Sequence, residues 1–432
     1  MKCTSWGRYP IIDCTRRTFG DKSALRALLD RESGLIPRGN GRSYGDSALN
    51  DTIVDVRPYD LFLDFTEETG LLHVQAGALL ADILETFVPR GWFLKVTPGT
   101  KFITVGGAIA GDVHGKNHRV EGCFSNCLED FTIMLADGRT VRCSLLNYPE
   151  LFKATCGGMG LTGVILDARI YLQKINSIHI DQITIKTRDL KDTYETFRHY
   201  SNMPYSVAWL DCLAKGSEIG KGLLMAGDFM DDGQLDYRIK RQTSIPVNFP
   251  SFAVNSLTIK AFNWLYYNKA TERISKQTLT IDPFFYPLDA FGNWNYIYGK
   301  NGFTQYQFIL PLETSYDGLE EILTVISKSG KGSFMAVLKL FGKANANYLS
   351  FPLEGYSLSL DFKIEKDVFD LLGMLNEIVL KYQGRIYLAK DVSTSREIFE
   401  QGYPMITRFR AFRTEHKMDT KFQSMQSKRL GI

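Results

Sequence analysis

The sequence predicts an α+β chain of two domains. Its 432 residues exceed the length of one ordinary domain. Three glycine-rich stretches lie within the first 165 residues, each flanked by apolar and β-branched segments. After about residue 173, strand-like alternation is interleaved with helical spacing of apolar residues. That order favours a second domain built on an antiparallel sheet with helices on one face.

Composition and charge exclude several classes of protein. The chain is 44% hydrophobic and 23% charged, which is typical of a globular protein, and its net charge of +3 does not favour nucleic-acid binding. The N-terminus lacks a long apolar region, and no run of about 18 apolar residues predicts a membrane-spanning helix. Seven cysteines without framework spacing predict reduced thiols in a cytoplasmic protein. Cys123 and Cys127 lack a second pair at zinc-site spacing, so we interpret them as buried thiols and predict no metal site.

The first domain is predicted to alternate strands with a few helices. Apolar residues at helical spacing predict helices over residues 22–29 and 79–88, the second ended by Gly91. Strands are predicted over residues 52–56, 71–76, 93–96, 131–136, 140–143 and 164–172. Asp137 and Gly138 form a predicted hairpin turn between two of these strands.

The second half has a different pattern. A strand over residues 178–187 and a helix over 190–200 are followed by an irregular stretch, 216–250, that includes Arg238, Lys240 and Arg241. Residues 260–273 mix aromatic residues with cations, which favours a helix packed under a lid over a patch that touches a membrane. Further strands are predicted over residues 306–310, 334–340 and 356–362, with helices over 318–327 and 367–380.

The glycine-rich stretches carry the strongest functional signal. They are loop 1, PRGNGRSYGD at residues 37–46, loop 2, TPGTKFITVGGAIAGDVHGKN at 97–117, and loop 3, GGMGLTG at 157–163. Glycine permits positive φ angles and close approach of the backbone to a ligand. Loop 1 has neither the spacing of the phosphate loop GxxxxGK[ST] nor the position of GxGxxG, which opens a helix after a strand. Three such loops predict that backbone amides gather around one large anionic ligand.

These loops resemble the FAD-binding loops of the vanillyl-alcohol oxidase / p-cresol methylhydroxylase (PCMH) flavoprotein superfamily, and the similarity covers nearly the whole chain. Within the superfamily they are most similar to the flavin subunits of polyprenylphosphoryl ribose 2-epimerases. The resemblance implies a PCMH-type FAD-binding domain over residues 1–172 and a substrate-binding cap domain over 173–384. A C-terminal segment, 385–432, is expected to return to the FAD domain.

The resemblance also implies a set of cofactor contacts. The backbone amides of residues 39–43 and 104–107 would bind the pyrophosphate. The isoalloxazine and ribityl groups would be lined by Gly111, Asp112, His114, Gly115 and Asn117. The TPGT turn at 97–100 is expected to place its glycine in the strained position. The full set of expected FAD-binding residues is Pro37, Arg38, Gly39, Asn40, Gly41, Arg42, Ser43, Tyr44, Gly45, Asp46, Ser47, Pro98, Gly99, Thr100, Thr104, Val105, Gly106, Gly107, Gly111, Asp112, His114, Gly115, Asn117, Gly158, Gly160, Val164 and Tyr387.

Three residues are expected to take part in catalysis. Tyr44 stands where many relatives carry a histidine joined to the flavin, and because tyrosine cannot form that bond we predict non-covalent FAD. Lys390, in the motif YLAKD, would stabilise negative charge at the flavin edge. Tyr44, or a water held near His114, would accept the proton of the substrate hydroxyl.

The expected substrate-binding residues are Tyr286, Gln305, Gln307, Lys339, Asn345, Ser359 and Lys390. Gln305 and Gln307 alternate with Tyr306 and therefore share one face of a strand. Lys339 lies in an apolar strand, where a buried cation needs an anionic partner such as a substrate phosphate. Ser359 replaces a reactive cysteine of a related oxidase, so we predict resistance to thiol-directed inactivation at this position.

The resemblance implies FAD-dependent oxidation of the C2 hydroxyl of a polyprenyl-phosphate-linked pentose to a keto sugar. This would be the first half of a ribose-to-arabinose type epimerisation in cell-envelope glycan synthesis. An NAD(P)H-dependent short-chain reductase is the expected partner, with peripheral contact at the inner membrane surface. One alternative is an oxidase of free polyols or aldonolactones, against which Tyr44 counts. Another is an FAD-binding scaffold subunit of a glycan-synthesis complex, against which the intact loops and Lys390 count.

Overall fold

The computed structural model describes residues 1–432. The first part of the chain forms eleven strands and five helices. The strands are β1 (Lys2–Thr4), β2 (Ile11–Asp13), β3 (Thr15–Thr18), β4 (Leu35–Arg38), β5 (Thr52–Asp55), β6 (Phe62–Thr66), β7 (Leu71–Gln75), β8 (Trp92–Leu94), β9 (Leu128–Met134), β10 (Thr140–Cys143) and β11 (Val164–Lys174). The helices are α1 (Lys22–Arg31), α2 (Leu80–Phe87), α3 (Val105–Ala110), α4 (His118–Glu121) and α5 (Pro149–Thr155).

These strands form two main sheets. β3, β5 and β4 make a parallel three-stranded sheet, and β10, β9, β11, β7 and β6 follow one another in a second sheet, where β8 also pairs with β11. Helix α2 buries Leu80, Ile83 and Leu84, as its apolar spacing predicts. Gly91 ends the short 3-10 turn after α2 with φ +81°, which confirms its expected role as a stop signal.

The second part forms one large sheet and a helical layer. Its strands are β12 (His179–Thr187), β13 (Tyr205–Leu210), β14 (Gly222–Phe229), β15 (Thr243–Ser244), β16 (Ile274–Thr280), β17 (Phe291–Gly292), β18 (Phe303–Pro311), β19 (Val337–Phe341), β20 (Gly355–Lys363) and β21 (Arg385–Ile386). Its helices are α6 (Leu190–His199), α7 (Ser256–Asn268), α8 (Ile281–Phe285), α9 (Ser315–Ser329) and α10 (Val368–Lys381).

Eight of these strands pair in the order β16, β12, β14, β13, β19, β20, β18, β21, and every pair is antiparallel. Leu338, Leu358 and Leu360 lie on the face that joins helices α9 and α10 in one apolar core. The opposite face carries polar residues, described below. The predicted α+β class, with an antiparallel sheet covered by helices, is confirmed.

Several predicted elements of this half need correction. The stretch 216–250 was expected to be irregular, but β14 lies inside it and pairs on both sides within the sheet. It was missed because a strand buried on both faces has a continuous apolar pattern instead of alternation. The predicted strand 334–340 begins only at Val337.

Residues 260–273 were expected to form a helix packed under a lid, but helix α7 is not covered in this way. One side rests on the sheet, where Phe262 contacts Phe334 and Tyr266 contacts Trp209. The other side is exposed, with Leu257 at 75% and Trp264 at 63% of full exposure.

The C-terminal segment forms α11 (Arg396–Gly402), α12 (Ile406–Glu415), α13 (Met418–Lys421) and α14 (Met425–Leu430). This segment contacts the first part of the chain. The buried guanidinium of Arg413 donates to the carbonyl of Leu161, and the backbone amide of Met425 donates to the carbonyl of Leu49. β21, by contrast, extends the large sheet beside β18. The division at residues 172 and 384 stays a prediction.

The expectation of seven reduced thiols is wrong for two of them. Pairing of β1 with β2 brings the Cα atoms of Cys3 and Cys14 to 6.1 Å, and their sulfurs form a disulfide. The other five cysteines are free and buried, including Cys123 and Cys127. No helix combines the length and the apolar character needed to cross a membrane.

Candidate active site

Loop 1 leaves a row of backbone donors free. Strand β4 ends at Arg38, and none of the backbone amides of residues 39–43 donates to a protein acceptor. The next backbone amide, that of Tyr44, donates to the carbonyl of Ala389. A Cβ added at Gly39 would lie 2.2 Å from Oγ1 of Thr104, and one at Gly45 would lie 1.7 Å from the carbonyl oxygen of Asp391. Successive free amides in a glycine-rich turn are suited to bind an anion.

The side chains of loop 1 hold it against its surroundings. Arg38 donates to the carbonyls of Thr4 and Ala48. The side-chain amide of Asn40 donates to the carbonyl of Phe102 in loop 2 at 2.7 Å. The guanidinium of Arg42 lies 3.8 Å from the centre of the Trp6 ring, and its Nε is buried without a partner.

Loop 2 corrects part of the expected pyrophosphate site. Thr104 caps α3 by accepting from the amide of Gly107, while the amides of Val105 and Gly106 donate to the carbonyls of Ala78 and Ala76. These three amides are therefore engaged within the chain, whereas the backbone amide of Thr104 donates to no protein acceptor, so it and the free amides of loop 1 are available to a phosphate. Residues 104–107 instead back the loop, since Gly39 packs against Thr104.

The TPGT turn also differs from expectation. Gly99 has no positive φ, and a Cβ added there would meet nothing within 4 Å, so it is not in a strained position. Pro98 and Thr100 are half-buried, and Oγ1 of Thr100 accepts from the amide of Phe102. Gly115 is the close-packed glycine of this loop, because a Cβ there would lie 2.8 Å from the carbonyl of Thr97. Asn117 donates to the carbonyl of Lys95.

Loop 3 supports the other two loops. The amides of Gly157 and Met159 donate to the carbonyls of Ile109 and Ala110 at the end of α3. Gly160, at φ +78°, packs beside Pro37 of loop 1. Gly158 leaves no room for a side chain, and Val164 begins β11.

Asp112 joins the two halves of the molecule. It is fully buried, and its carboxylate accepts from the side chains of Asn345, Asn347 and Ser350 and from the amide of Ser125. Asn345 also accepts from the amide of Asn347, so its polar atoms are engaged in this network. A direct substrate contact through Asn345, as expected from the sequence, is therefore disfavoured. Nearby, the hydroxyl of Tyr387 donates to the carbonyl of Gly111.

A polar face runs across the three strands β19, β20 and β18. The register places Gln305 opposite Asp361 and Gln307 opposite Ser359, while Ser357 lies opposite both Ile309 and Lys339. Residues directly opposite each other in an antiparallel pair point to the same side of a sheet. The polar face therefore carries the side chains of Gln305, Gln307, Lys339, Ser357, Ser359 and Asp361. The predicted face of Gln305 and Gln307 forms part of it.

His114 reaches this polar face from loop 2. The side-chain amide of Gln307 is assigned as donor to its Nε2 at 3.0 Å, and Nδ1 is buried without a partner. Burial and the nearby Lys339 hold the pKa of His114 well below its usual value. With this assignment the neutral ring carries its proton on Nδ1, which can donate to a ligand, while the lone pair of Nε2 is engaged by Gln307.

Three lysines converge on the same region. Burial lowers the pKa of Lys339 to about 8, and burial together with Lys339 lowers that of Lys116 to about 7. Burial and Lys339 also lower the pKa of Lys390, and Asp361 opposes that shift. Lys390 lies in the short 3-10 helix Leu388–Lys390, with Nζ 5.4 Å from the centre of the Tyr44 ring. None of the three forms a salt bridge.

Asp361 is the acidic residue of the polar face. It is buried, and Nε2 of Gln305 donates to it at 2.5 Å while the hydroxyl of Tyr298 donates at 3.3 Å. Burial raises its pKa to about 6. Burial also raises the pKa of Tyr44, with Asp361 adding to the effect. Tyr44 therefore keeps its proton at neutral pH, which corrects its expected role as a base.

Tyr286 lies beside loop 2. Its hydroxyl bonds to Oγ1 of Thr97 at 2.6 Å, and the ammonium of Lys101 lies 5.5 Å from the centre of its ring. Lys101 itself is paired with Asp282. Tyr286 therefore helps to join the second half of the chain to loop 2, and no hydrogen bond links it to the polar face.

A residue of the last helix ties loop 1 to the segment that carries Lys390. Arg429, in α14, donates to Asp46 at 2.8 Å and to Asp391 at 2.9 Å. Asp46, Ser47 and Asp391 are all buried. No local sequence pattern indicates this link, because the partners are separated by 383 and 38 positions.

Sequence reasoning also missed Lys116, His118 and Asp361. Lys116 lies within the motif GDVHGKN, and His118 follows it directly. Buried His118 stacks on Phe341 with ring centres 4.4 Å apart. Asp361 could have been found from its alternation with Ser359 on one strand. Its pairing with Gln305 depends on strand register, which the sequence does not show.

The residues present fit FAD. Loop 1 offers five free amides, and glycines bring it into close contact with Thr104 and Asp391. Buried polar atoms without partners lie around the predicted flavin region, at Nδ1 of His114 and Oε1 of Gln305 and Gln307. Buried polar atoms are normally paired, so these atoms are available to a ligand.

Comparison with known proteins agrees with this geometry. A family model described as an FAD binding domain matches residues 22–144. Decaprenylphosphoryl-beta-D-ribose oxidase of Mycolicibacterium smegmatis is 35% identical over 448 residues, covering 99% of this chain and 96% of that protein. L-gulonolactone oxidase of Scyliorhinus torazame is 28% identical over 145 residues, covering 33% of each. Cytokinin dehydrogenase 8 of Oryza sativa subsp. japonica is 36% identical over 101 residues, covering 23% of this chain and 19% of that protein.

The match to the M. smegmatis oxidase extends along nearly all of both chains, and it includes the part that forms the polar face. The protein therefore belongs to the PCMH-type family of FAD-dependent oxidoreductases that includes decaprenylphosphoryl-beta-D-ribose oxidase.

Proposed function

We propose that the protein oxidises the C2 hydroxyl of a polyprenyl-phosphate-linked pentose to a ketone. The observation that carries this proposal is the group of Lys116, Lys339 and Lys390, which have lowered pKa values and no salt-bridge partner. All three are half-buried, and of them Lys116 donates to the carbonyl of Phe284, so cations gathered without a carboxylate partner favour the binding of an anion. A phosphate between the sugar and its lipid supplies that anion, and a free polyol does not.

The 35% identical relative is named for a decaprenylphosphoryl ribose substrate, which supports the same substrate class. The polar face would bind the sugar through the free carbonyl oxygens of Gln305 and Gln307 and the hydroxyl of Ser359. The substrate's phosphate would lie near Lys339 and Lys116.

FAD, held by loop 1 without a covalent link, supplies the acceptor for the hydride from the alcohol carbon. Lys390 would place a positive charge at the edge of the cofactor, where fixed charges lower the barrier most. Because Tyr44 retains its proton, only one of the two expected acceptors of the hydroxyl proton remains, a water that Nδ1–H of His114 would hold and that would pass the proton on to solvent.

The ketone product would need a second enzyme to become the epimer. We propose a separate NAD(P)H-dependent short-chain reductase for that step, which completes a ribose-to-arabinose type epimerisation in cell-envelope glycan synthesis. A lipid-linked substrate also implies work at a membrane surface, and the inner membrane surface facing the cytoplasm is the proposed place.

Anaerobic reduction of the bound flavin tests the substrate class. The purified protein should lose its flavin absorbance with a synthetic farnesylphosphoryl ribose. It should keep that absorbance with ribose, xylitol or an aldonolactone. Reduction by xylitol or the lactone alone would contradict the proposal and support the polyol and aldonolactone alternative. No reduction by any of these compounds would support the scaffold alternative.

A further inference from the structure

A surface segment outside the site, residues 238–276, exposes an unusual number of large apolar side chains. Val247, Phe252, Leu257, Trp264 and Leu265 are each between 62% and 75% exposed. Leu257, Trp264 and Leu265 stand at positions i, i+7 and i+8 of α7, so they lie on one face of that helix. Exposed apolar side chains grouped in this way indicate a surface that meets a partner.

The same segment is strongly basic. Between Arg238 and Lys276 the sequence has seven Lys and Arg residues and one acidic residue, Glu272. The whole chain has a net charge of +3, so the rest of the chain is net negative. Lys240, Arg241 and Lys260 are exposed and form no salt bridge. An apolar helix face among cations is the pattern of a helix that lies in the interface of an anionic bilayer.

The 238–276 segment is joined to the polar face of the site. The ammonium of Lys363, two residues after Asp361 on β20, donates to the carbonyl of Ser251. The amide of Phe249 donates to the carbonyl of Tyr296, in the short helix that also carries Tyr298, the donor to Asp361. A lipid bilayer against this segment would therefore lie next to the end of the strand that lines the site.

We propose that the 238–276 segment docks the protein on an anionic phospholipid bilayer, with α7 lying in the interface. The apolar face of α7 enters the lipid and the flanking lysines and arginines contact the phospholipid headgroups. That this surface delivers a lipid-linked substrate rests on the proposed function, whereas the binding of bilayers does not.

Vesicle flotation with the FAD-loaded, full-length protein tests this inference. The probe is vesicles of phosphatidylcholine with phosphatidylglycerol, compared with phosphatidylcholine alone, without any substrate. The wild type should bind the anionic vesicles, and binding should weaken in about 0.5 M salt. The variant Phe252→Ser/Leu257→Ser/Trp264→Ser should bind at least tenfold less, and Lys240→Gln/Arg241→Gln/Lys260→Gln should lose the preference for anionic lipid.

The matched control is Leu145→Ser/Leu146→Ser, which removes two exposed leucines (60% and 97%) from another part of the surface. It should bind vesicles like the wild type. Equal loss of binding in the control, or a wild type that ignores the vesicles, would overturn the inference. So would a triple serine variant that binds normally but changes oligomeric state in sedimentation, because the face would then join two copies of the chain.

Activity on farnesylphosphoryl ribose without vesicles separates this inference from the proposed function. If the function is correct and the docking surface is wrong, the wild type oxidises this short-chain substrate but does not bind vesicles. If the docking surface is correct and the function is wrong, vesicle binding persists without turnover.

Discussion

The proposed role of Lys390 is to stabilise negative charge that develops at the cofactor. It lies among Tyr44, Lys339 and Asp361, and burial lowers its pKa. Replacing it with methionine keeps the length of the side chain and removes the charge. We expect Lys390→Met to lower kcat by about 100-fold or more while FAD stays bound, since one fixed charge at a reacting centre contributes on that order.

The control for Lys390 is Lys381→Met, which removes an exposed lysine paired with Glu321. Steady-state kinetics and the flavin spectrum of the same samples give both readouts. Wild-type turnover in Lys390→Met would remove its catalytic assignment.

Lys339 gives the site a pH dependence. Burial lowers its pKa to about 8, and only the protonated form attracts a phosphate. Substrate affinity is therefore lost as pH rises through about 8, where Lys339 loses its proton, and Lys116, with a pKa lowered to about 7, adds a loss that begins about one pH unit lower. KM for farnesylphosphoryl ribose should begin to rise near pH 7 and rise more steeply above pH 8, by up to about tenfold per unit for each lysine. In Lys339→Gln, KM should be higher and the step near pH 8 should be absent. A flat profile in the wild type would separate Lys339 from phosphate binding.

The contact between loop 1 and the C-terminal segment depends on the absence of a side chain at Gly45. A Cβ at Gly45 would lie 1.7 Å from the carbonyl oxygen of Asp391, whereas one at Gly99 in loop 2 meets nothing. Gly45→Ala should therefore release FAD and lower the free energy of unfolding by about 2 kcal/mol through overpacking. Gly99→Ala should leave both unchanged. Measuring bound flavin per chain and urea denaturation compares the two, and equal behaviour would show that this contact is unimportant.

At the scale of elements, local sequence patterns were enough to predict some helices and turns but not others. The spacing of Leu80, Ile83 and Leu84 predicted α2, and Gly138, with φ +75°, forms the expected turn between β9 and β10. β14 was missed because burial on both faces removes alternation. The exposed face of α7 was missed because composition does not show whether a neighbouring segment covers an aromatic helix.

The candidate site shows the same limit. Gln305 and Gln307 were predicted correctly to share one face of a strand, since alternation along a strand fixes the direction of each side chain. Which strands are neighbours depends on long-range pairing, so the position of Lys339 on the same face and the pairing of Asp361 with Gln305 were not predicted. The engaged amides of Val105 and Gly106 were missed for the same reason, because their acceptors, Ala78 and Ala76, lie on another part of the chain.

At the scale of the whole molecule, Arg429 connects the end of the chain to loop 1 and to Asp391. Removing one partner of a buried ion pair leaves the other charges uncompensated, which costs about 3 kcal/mol or more. Arg429→Met should lower the free energy of unfolding by about that amount and weaken FAD retention. Arg408→Met removes an exposed pair with Glu150 and should leave the free energy of unfolding close to that of the wild type. Urea denaturation measures both, and similar losses would contradict the role of Arg429.

The central claim is that loops 1, 2 and 3 hold FAD without a covalent bond, and one measurement tests it most directly. The visible spectrum of the purified protein is recorded, and the protein is then precipitated with acid. We predict flavin absorbance bands and a yellow supernatant, because the tyrosine at position 44 cannot form the histidyl link to the flavin. A yellow pellet, or a colourless protein that FAD does not reconstitute, would contradict it.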